Sequence, residues 1–214
     1  MIEIIPAILA HDEADFRTKL EKLRPLGLAL HIDVMDGVFT TQRSWAPSEA
    51  VAELLDGMVY DAHLMVANPE QAVPRWIASG ARNVIFHVES TNNEAQICRA
   101  AAGHGANLSL ALNPDTPVSR VTSVLPEFAC ITVMGVTPGK SGQAFQEIAL
   151  EKICTLRALK PSLRIIVDGG ARPENIRAMA EAGANAVVAG SAITDQDDVA
   201  AALQKFKLAL EAAI

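Results

Sequence analysis

HIDVMDG, His31 to Gly37, sets a histidine, two aspartates and a methionine among residues that otherwise read as a buried strand. Successive side chains of a strand point to opposite faces, so His31, Asp33 and Met35 share one face and Ile32 and Val34 the other, toward covering helices. The rest of the chain says what kind of sheet this strand belongs to.

Short apolar runs recur at Ile2 to Leu9, Leu28 to Met35, Val59 to Val66, Asn83 to Val88, Ala106 to Leu112, Ala129 to Val136, Leu163 to Val167 and Asn185 to Ala189. Segments with helical signals separate them: Glu13 to Arg24, Ala46 to Leu55, Asn68 to Ala78, Asn93 to Ala102, Pro117 to Leu125, Phe145 to Leu159 and Pro173 to Ala182, with Asp195 to Ile214 as a last helix. Continuous apolar strands alternating with amphipathic helices indicate a parallel sheet covered on both sides, either a doubly wound sheet or a closed (β/α)8 barrel. Eight units favour the barrel, a single α/β domain over residues 1–214 with no linker.

The 214 residues are half apolar, enough for one substantial core. A formal charge of -7 without a basic cluster argues against nucleic acid, whose phosphates are neutralised by Lys and Arg, and leaves small molecules as the expected partners. Cys98, Cys130 and Cys154 are widely spaced in apolar surroundings, which indicates neither a disulfide framework nor a zinc ribbon and fits a reducing compartment, the cytoplasm. The start, MIEIIPAILAHD, lacks the features of a signal or transit peptide, and no apolar run is long enough to cross a bilayer, so no membrane association is expected.

In such barrels the active site lies at the C-terminal ends of the strands. The third strand puts Asp61, His63 and Met65 on one face as the second does His31, Asp33 and Met35, and the seventh ends IIVDGG, delivering Asp168 before two glycines that let backbone approach a ligand. Two His and two Asp from three strands make an N and O ligand set for one divalent cation, with Zn, Fe, Mn and Co all admissible. Asp36 and Asp61 have simpler readings, a turn at the strand end and a hydrogen bond at the strand entry. His87 and Glu89, in FHVES, share a face at a strand end, where they either line or brace the site or serve a structural role. His11 and His104 sit in loop contexts without an assigned function. Glycine-rich turns at Gly139 to Gln143, at Gly169 and Gly170, and at Gly190 with Ser191 offer clustered N–H groups able to hold a phosphate without a basic side chain.

PAILA from Pro6, HIDVMDGVF from His31, DAHLM from Asp61, HVE from His87, VMGVTPG from Val133, Gly142 with Gln143, VDGG from Val167 and AGS from Ala189 together resemble the ribulose-phosphate 3-epimerase family, in order and over essentially the whole chain. The resemblance implies a (β/α)8 TIM barrel of the ribulose-phosphate-binding type, with a divalent metal held by His31, Asp33, His63 and Asp168. It implies that Asp33 and Asp168 serve as base and acid on opposite faces of the sugar, that Met35, Met65 and Met134 wall the site, and that the glycine turns with Gln143 and Ser191 bind substrate and its phosphate. It also implies a homo-oligomer, a dimer or a hexamer.

The departures concern residues that touch the sugar. The family's Pro-Ser-Ile-Leu is Pro6, Ala7, Ile8, Leu9, without the hydroxyl; its Asn-Pro-Gly-Phe-Gly-Gly-Gln loop is Thr137 to Gln143, with Lys140 replacing the covering aromatic and Ser141 a glycine. Its Val-Pro-Asn after Phe39 is Thr40, Thr41 and Gln42, followed by Arg43 and Trp45. Ala7, Lys140 and Ser141 are therefore candidates for specificity, and Arg43 reads as a solvated loop charge. The expected reaction is inversion of C3 of a ketose phosphate, by default D-ribulose 5-phosphate to D-xylulose 5-phosphate. The alternatives are the same chemistry on an allulose or tetrulose phosphate, or a sugar-phosphate-binding barrel without catalysis. The Asp-x-Lys pattern of related decarboxylases is absent, since Met35 stands two after Asp33.

Overall fold

The computed structural model describes residues 2–103, 105–139 and 142–211. His104, Lys140 and Ser141 fall outside the described residues, and with them the specificity roles expected of Lys140 and Ser141.

Eight parallel strands close into a barrel: β1 (Glu3–Ile8), β2 (Leu30–Met35), β3 (Tyr60–Met65), β4 (Asn83–His87), β5 (Asn107–Leu112), β6 (Cys130–Met134), β7 (Arg164–Asp168) and β8 (Ala186–Ala189). Each pairs with the next, and β8 returns to β1 with Glu3 opposite Ala186 and Pro6 opposite Ala189. Around them run α1 (Glu13–Leu23), α2 (Ser48–Leu55), α3 (Pro69–Ala78), α4 (Glu94–Ala101), α5 (Ile148–Leu159), α6 (Ile176–Ala182) and α7 (Val199–Glu211).

Strand alternation divides the apolar residues into two cores. Ile4, Ile8, Ile32, Leu64 and Phe86 face outward and pack with helix residues such as Phe16, Leu20 and Leu23 of α1. Ile5, Ala7, Cys130, Ile166, Ala186 and Val188 face inward and fill the barrel beside the site. Asp12 caps α1 by accepting the Asp15 N–H at 2.8 Å, so the helix starts where that side chain satisfies a free donor.

The expected helix from Pro117 to Leu125 is absent; that crossover consists of two 3-10 turns, Val118–Arg120 and Leu125–Glu127. Val118, Val121, Thr122 and Val124 are β-branched, Ser119 and Ser123 compete for backbone partners, and Pro126 disfavours helical geometry at Leu125. Tertiary bonds hold the segment instead: the Arg120 guanidinium donates to the Thr91 carbonyl at 3.0 Å and to the Glu94 carboxylate at 2.5 Å. The last helix begins at Val199 rather than Asp195, because Gly190–Thr194 forms a π-helical turn over the barrel mouth.

At the strand starts, opposite the mouth, Arg82 donates two parallel hydrogen bonds to Asp61, at 2.8 and 2.7 Å, and reaches Glu3 at 3.3 Å. Arg164 also binds Glu3. Asp61 is thus a strand-entry residue and not part of the site. At the mouth, Gly135 is required by close approach: a Cβ there would lie 2.3 Å from the Gly169 carbonyl oxygen. Gly170, at φ +72°, would bring a Cβ within 2.7 Å of the Phe145 Cα. The turns after β6 and β7 therefore pack backbone on backbone.

Candidate active site

β2, β3 and β7 deliver four side chains to one point. His31 Nε2 lies 3.5 Å from Asp33 Oδ1 and 3.3 Å from Asp168 Oδ2. His63 Nδ1 lies 3.2 Å from Asp33 Oδ1 and 2.9 Å from Asp168 Oδ2. One ligand atom from each residue falls within a set no wider than 4.8 Å. Four atoms placed about 2.1 Å from one ion at tetrahedral angles stand about 3.4 Å apart, so the spacing suits a divalent cation.

The protein atoms alone do not satisfy this cluster. His31 is wholly buried, yet among the described residues neither of its ring nitrogens makes a hydrogen bond. An unsatisfied buried nitrogen costs about 1–3 kcal/mol, and coordination is one way to recover it. Charge is equally concentrated: burial works against the charged ring of His31, but Asp168 and then Asp33 outweigh it and push its pKa up to about 10. Burial also opposes ionisation of both aspartates, and the two histidines more than offset that, holding Asp33 and Asp168 below the usual carboxylate range. The four residues could hold a divalent metal ion, and two ionised carboxylates would neutralise it.

Asp33 on β2 and Asp168 on β7 are separated by β8 and β1 one way round the barrel and by β3 to β6 the other. Their carboxylates therefore approach the mouth from different sides. Above them opens a cleft of about 260 Å³. Met35, Met65 and Met134 are almost fully buried along it. Gly139, Gly142, Gln143, Gly169, Gly170, Gly190 and Ser191, expected on the phosphate side, all line it, and Ala7 lies at its floor. Gln143 Nε2 donates to the Thr137 carbonyl at 2.7 Å, bracing the turn after β6.

Asp36 and Arg43 fall where their simpler readings put them. Asp36 accepts the N–H groups of Val38, Phe39 and Ala67 at 2.8, 2.9 and 2.8 Å, joining the turns after β2 and β3. Arg43 donates to the Asp36 carbonyl at 3.1 Å within the same turn. His87 is fully buried behind His63, with Glu89 beyond it. The cleft rim also carries His11, Lys19, Arg172 and Asp195, which the sequence reading did not select. Lys19 reaches it from α1, where no strand-end pattern points; Arg172 follows Gly169, Gly170 and Ala171 directly, and that place beside the glycine turn is the sequence signal that marks it.

The fold and this cluster define a (β/α)8-barrel protein whose mouth gathers two histidines and two aspartates over a small, methionine-walled cleft. The model of the ribulose-phosphate 3 epimerase family matches residues 3–194, and the chain belongs to that family, a family of isomerases. The ribulose-phosphate 3-epimerase of Eremothecium gossypii is 36% identical, over 92% of this chain and 89% of its own. That of Bacillus subtilis is 33% identical, over 97% of this chain and 99% of its own. Among solved structures, 3-hexulose-6-phosphate synthase from Salmonella typhimurium superposes with a TM-score of 0.75, covering all of both chains at 18% identity, which is a likeness of fold. Among the described residues no helix is long and apolar enough to cross a membrane.

Proposed function

We propose that the protein inverts C3 of a ketose phosphate, with D-ribulose 5-phosphate and D-xylulose 5-phosphate as the default pair. The observation that carries this reading is the convergence of His31, Asp33, His63 and Asp168 within 4.8 Å beneath a cleft flanked by glycine turns. Those four residues would hold one divalent cation, Zn, Fe, Mn or Co; when bound, it supplies Lewis acidity that stabilises negative charge developing on the substrate oxygens.

The chain's own groups handle the proton. Inversion needs an acid/base group on each face, and Asp33 and Asp168 reach the mouth from different sides. One, ionised, takes the C3 proton while the C–H electron pair moves into the enediolate. The other must first take up a proton from solvent, against the pull of the histidines that keeps both carboxylates ionised in the metal-free cluster, and delivers it to C3 from the opposite face, so the pair then carries one proton between them. His31 and His63 favour ionisation of the accepting carboxylate. Met35, Met65 and Met134 keep water from the intermediate, and the turns at Gly169, Gly170, Gly190 and Ser191 present N–H groups to the phosphate. The test is C3 proton exchange in deuterated water by protein supplied with each metal. Exchange with a pentulose phosphate is expected, and no exchange with any pentulose, tetrulose or hexulose phosphate overturns the reading.

A second reading keeps the chemistry and changes the sugar. Ala7 lines the cleft floor with a methyl group where the family places a hydroxyl, which favours a substrate that makes no hydrogen bond there. Comparing kcat/KM across allulose, tetrulose and ribulose phosphates decides between them. The three unpaired cysteines fit work in the reducing cytoplasm.

The charge state of His31 gives the metal site a pH dependence. Its ring must lose a proton to coordinate, so uptake below pH 10 displaces one. Affinity is expected to rise at least about tenfold per pH unit, at least about 100-fold from pH 6 to pH 8, because His63, whose burial is likewise outweighed by Asp168 and Asp33 so that its pKa is raised, sheds a proton too wherever it is charged; competition with a chelator measures it. The metal-free fold has the opposite sign: the raised pKa contributes stability that is complete below the ordinary histidine value of about 6.5 and is lost as pH climbs through about 10.

A further inference from the structure

Behind His63 runs a line of buried polar groups that the proposed chemistry does not use. His63 Nε2 faces His87 Nε2 at 2.9 Å. The other ring nitrogen of His87, Nδ1, lies 3.2 Å from Glu89 Oε2. Glu89 is anchored in turn, accepting the Asn113 N–H on its other oxygen at 2.8 Å. Phe39 covers the His87 ring with centroids 4.7 Å apart, and both histidines are inaccessible to solvent.

The chemistry of these groups leaves the line one direction. An ionised carboxylate only accepts, so His87 Nδ1 carries the hydrogen that Glu89 receives. A neutral imidazole with its hydrogen on Nδ1 has an acceptor at Nε2, so the 2.9 Å contact requires the hydrogen on His63 Nε2. The remaining nitrogen of His63, Nδ1, is the atom that meets Asp33 and Asp168; in the metal-free protein it donates to those carboxylates, and once a cation takes the place of that proton its lone pair is the one presented for coordination.

We propose that Glu89 and His87 are positioning residues of the metal centre, a two-step relay that fixes the tautomer and ring plane of His63 so that Nδ1 is presented to the cation. The proposal rests on the reading of His63 as a ligand. Partners of this kind behind a ligating histidine typically alter metal affinity by about 10–100-fold.

The test uses the full-length protein freed of metal and titrated with Co²⁺ against a competing chelator, recording affinity and the visible absorption of the bound ion. His87→Phe keeps a ring against Phe39 but neither donates nor accepts; His87→Gln offers an acceptor toward His63 and a donor toward Glu89. The expected result is about 10–100-fold weaker binding and a changed spectrum for His87→Phe, with recovery toward the wild type in His87→Gln. A folded His87→Phe protein with wild-type affinity and spectrum overturns the relay alone, whereas failure of the wild type to take up metal overturns the metal centre and the relay with it. A measurement needing no variant complements this: long-range ¹H–¹⁵N correlation on the zinc-loaded wild type is expected to place hydrogens on His63 Nε2 and His87 Nδ1. The reverse tautomers overturn the proposal.

Discussion

Asp168→Asn is expected to lower kcat for inversion by about 10³-fold, and Asp33→Asn by a similar factor. The two variants should differ in what they retain. An enzyme with one acid/base group on each face, deprived of one of them, can still remove and return a proton on the face that remains. Each variant should therefore exchange the C3 proton of one epimer with deuterated water, and the two should prefer opposite epimers. Because both carboxylates also belong to the cluster around His31 and His63, metal content must be measured beside the rate. Equal loss of exchange with both epimers in a variant that still holds metal would show that the two aspartates do not divide the faces. Unchanged turnover in both would remove them from the chemistry.

Arg82→Met is expected to destabilise the fold by about 3 kcal/mol, at the lower end for breaking a buried pair because the arginine is itself partly exposed. Asp61 is buried at the strand starts and receives both of its short side-chain contacts from that guanidinium. Without Arg82 its charge has neither water nor a partner. For a chain of this size the loss corresponds to a fall in melting temperature of about 10 °C, which calorimetry reads directly. Replacing Asp61 with leucine in the same protein should return much of the stability, since an apolar pair of similar volume avoids the desolvation of both charges. Turnover at 25 °C by the folded protein should stay near wild type in both cases, because this network lies at the opposite end of the barrel from the cleft. If Arg82→Met melts with the wild type, the pair contributes orientation rather than stability.

Much of the barrel was legible because its strands alternate cleanly. Ile32 and Leu64 face the helices, while a period of two turns His31, Asp33 and His63 to the axis; Asp168 is marked instead by its place at a strand end before two glycines. The glycine turns were legible for a related reason, since Gly169 and Gly170 follow a strand that ends in Asp168. The crossover between β5 and β6 was not. Its apolar spacing resembles a helix, but Arg120 finds partners at Thr91 and Glu94, more than twenty residues away, and no local pattern encodes such contacts. Gly135 was missed likewise, because the need for glycine comes from the Gly169 carbonyl and the Phe145 ring pressed against it. The polar rim of Lys19 and Arg172 depends on how separate loops meet above the strands, and strand periodicity says nothing about that.

The pairing of β1 with β8 bears on how the chain comes off the ribosome. Glu3 must wait for Ala186, and at ordinary rates of synthesis the intervening stretch of about 180 residues takes roughly 10 to 40 s to emerge. Throughout that interval β1 has a partner on only one side, and each newly made strand becomes a second open edge until its successor arrives. A chain that has built only part of the barrel therefore presents open sheet edges, which favour edge-to-edge association. A shortage of holding chaperones should harm the nascent chain well before it affects the finished barrel, in which each of β1 to β8 is paired on both sides.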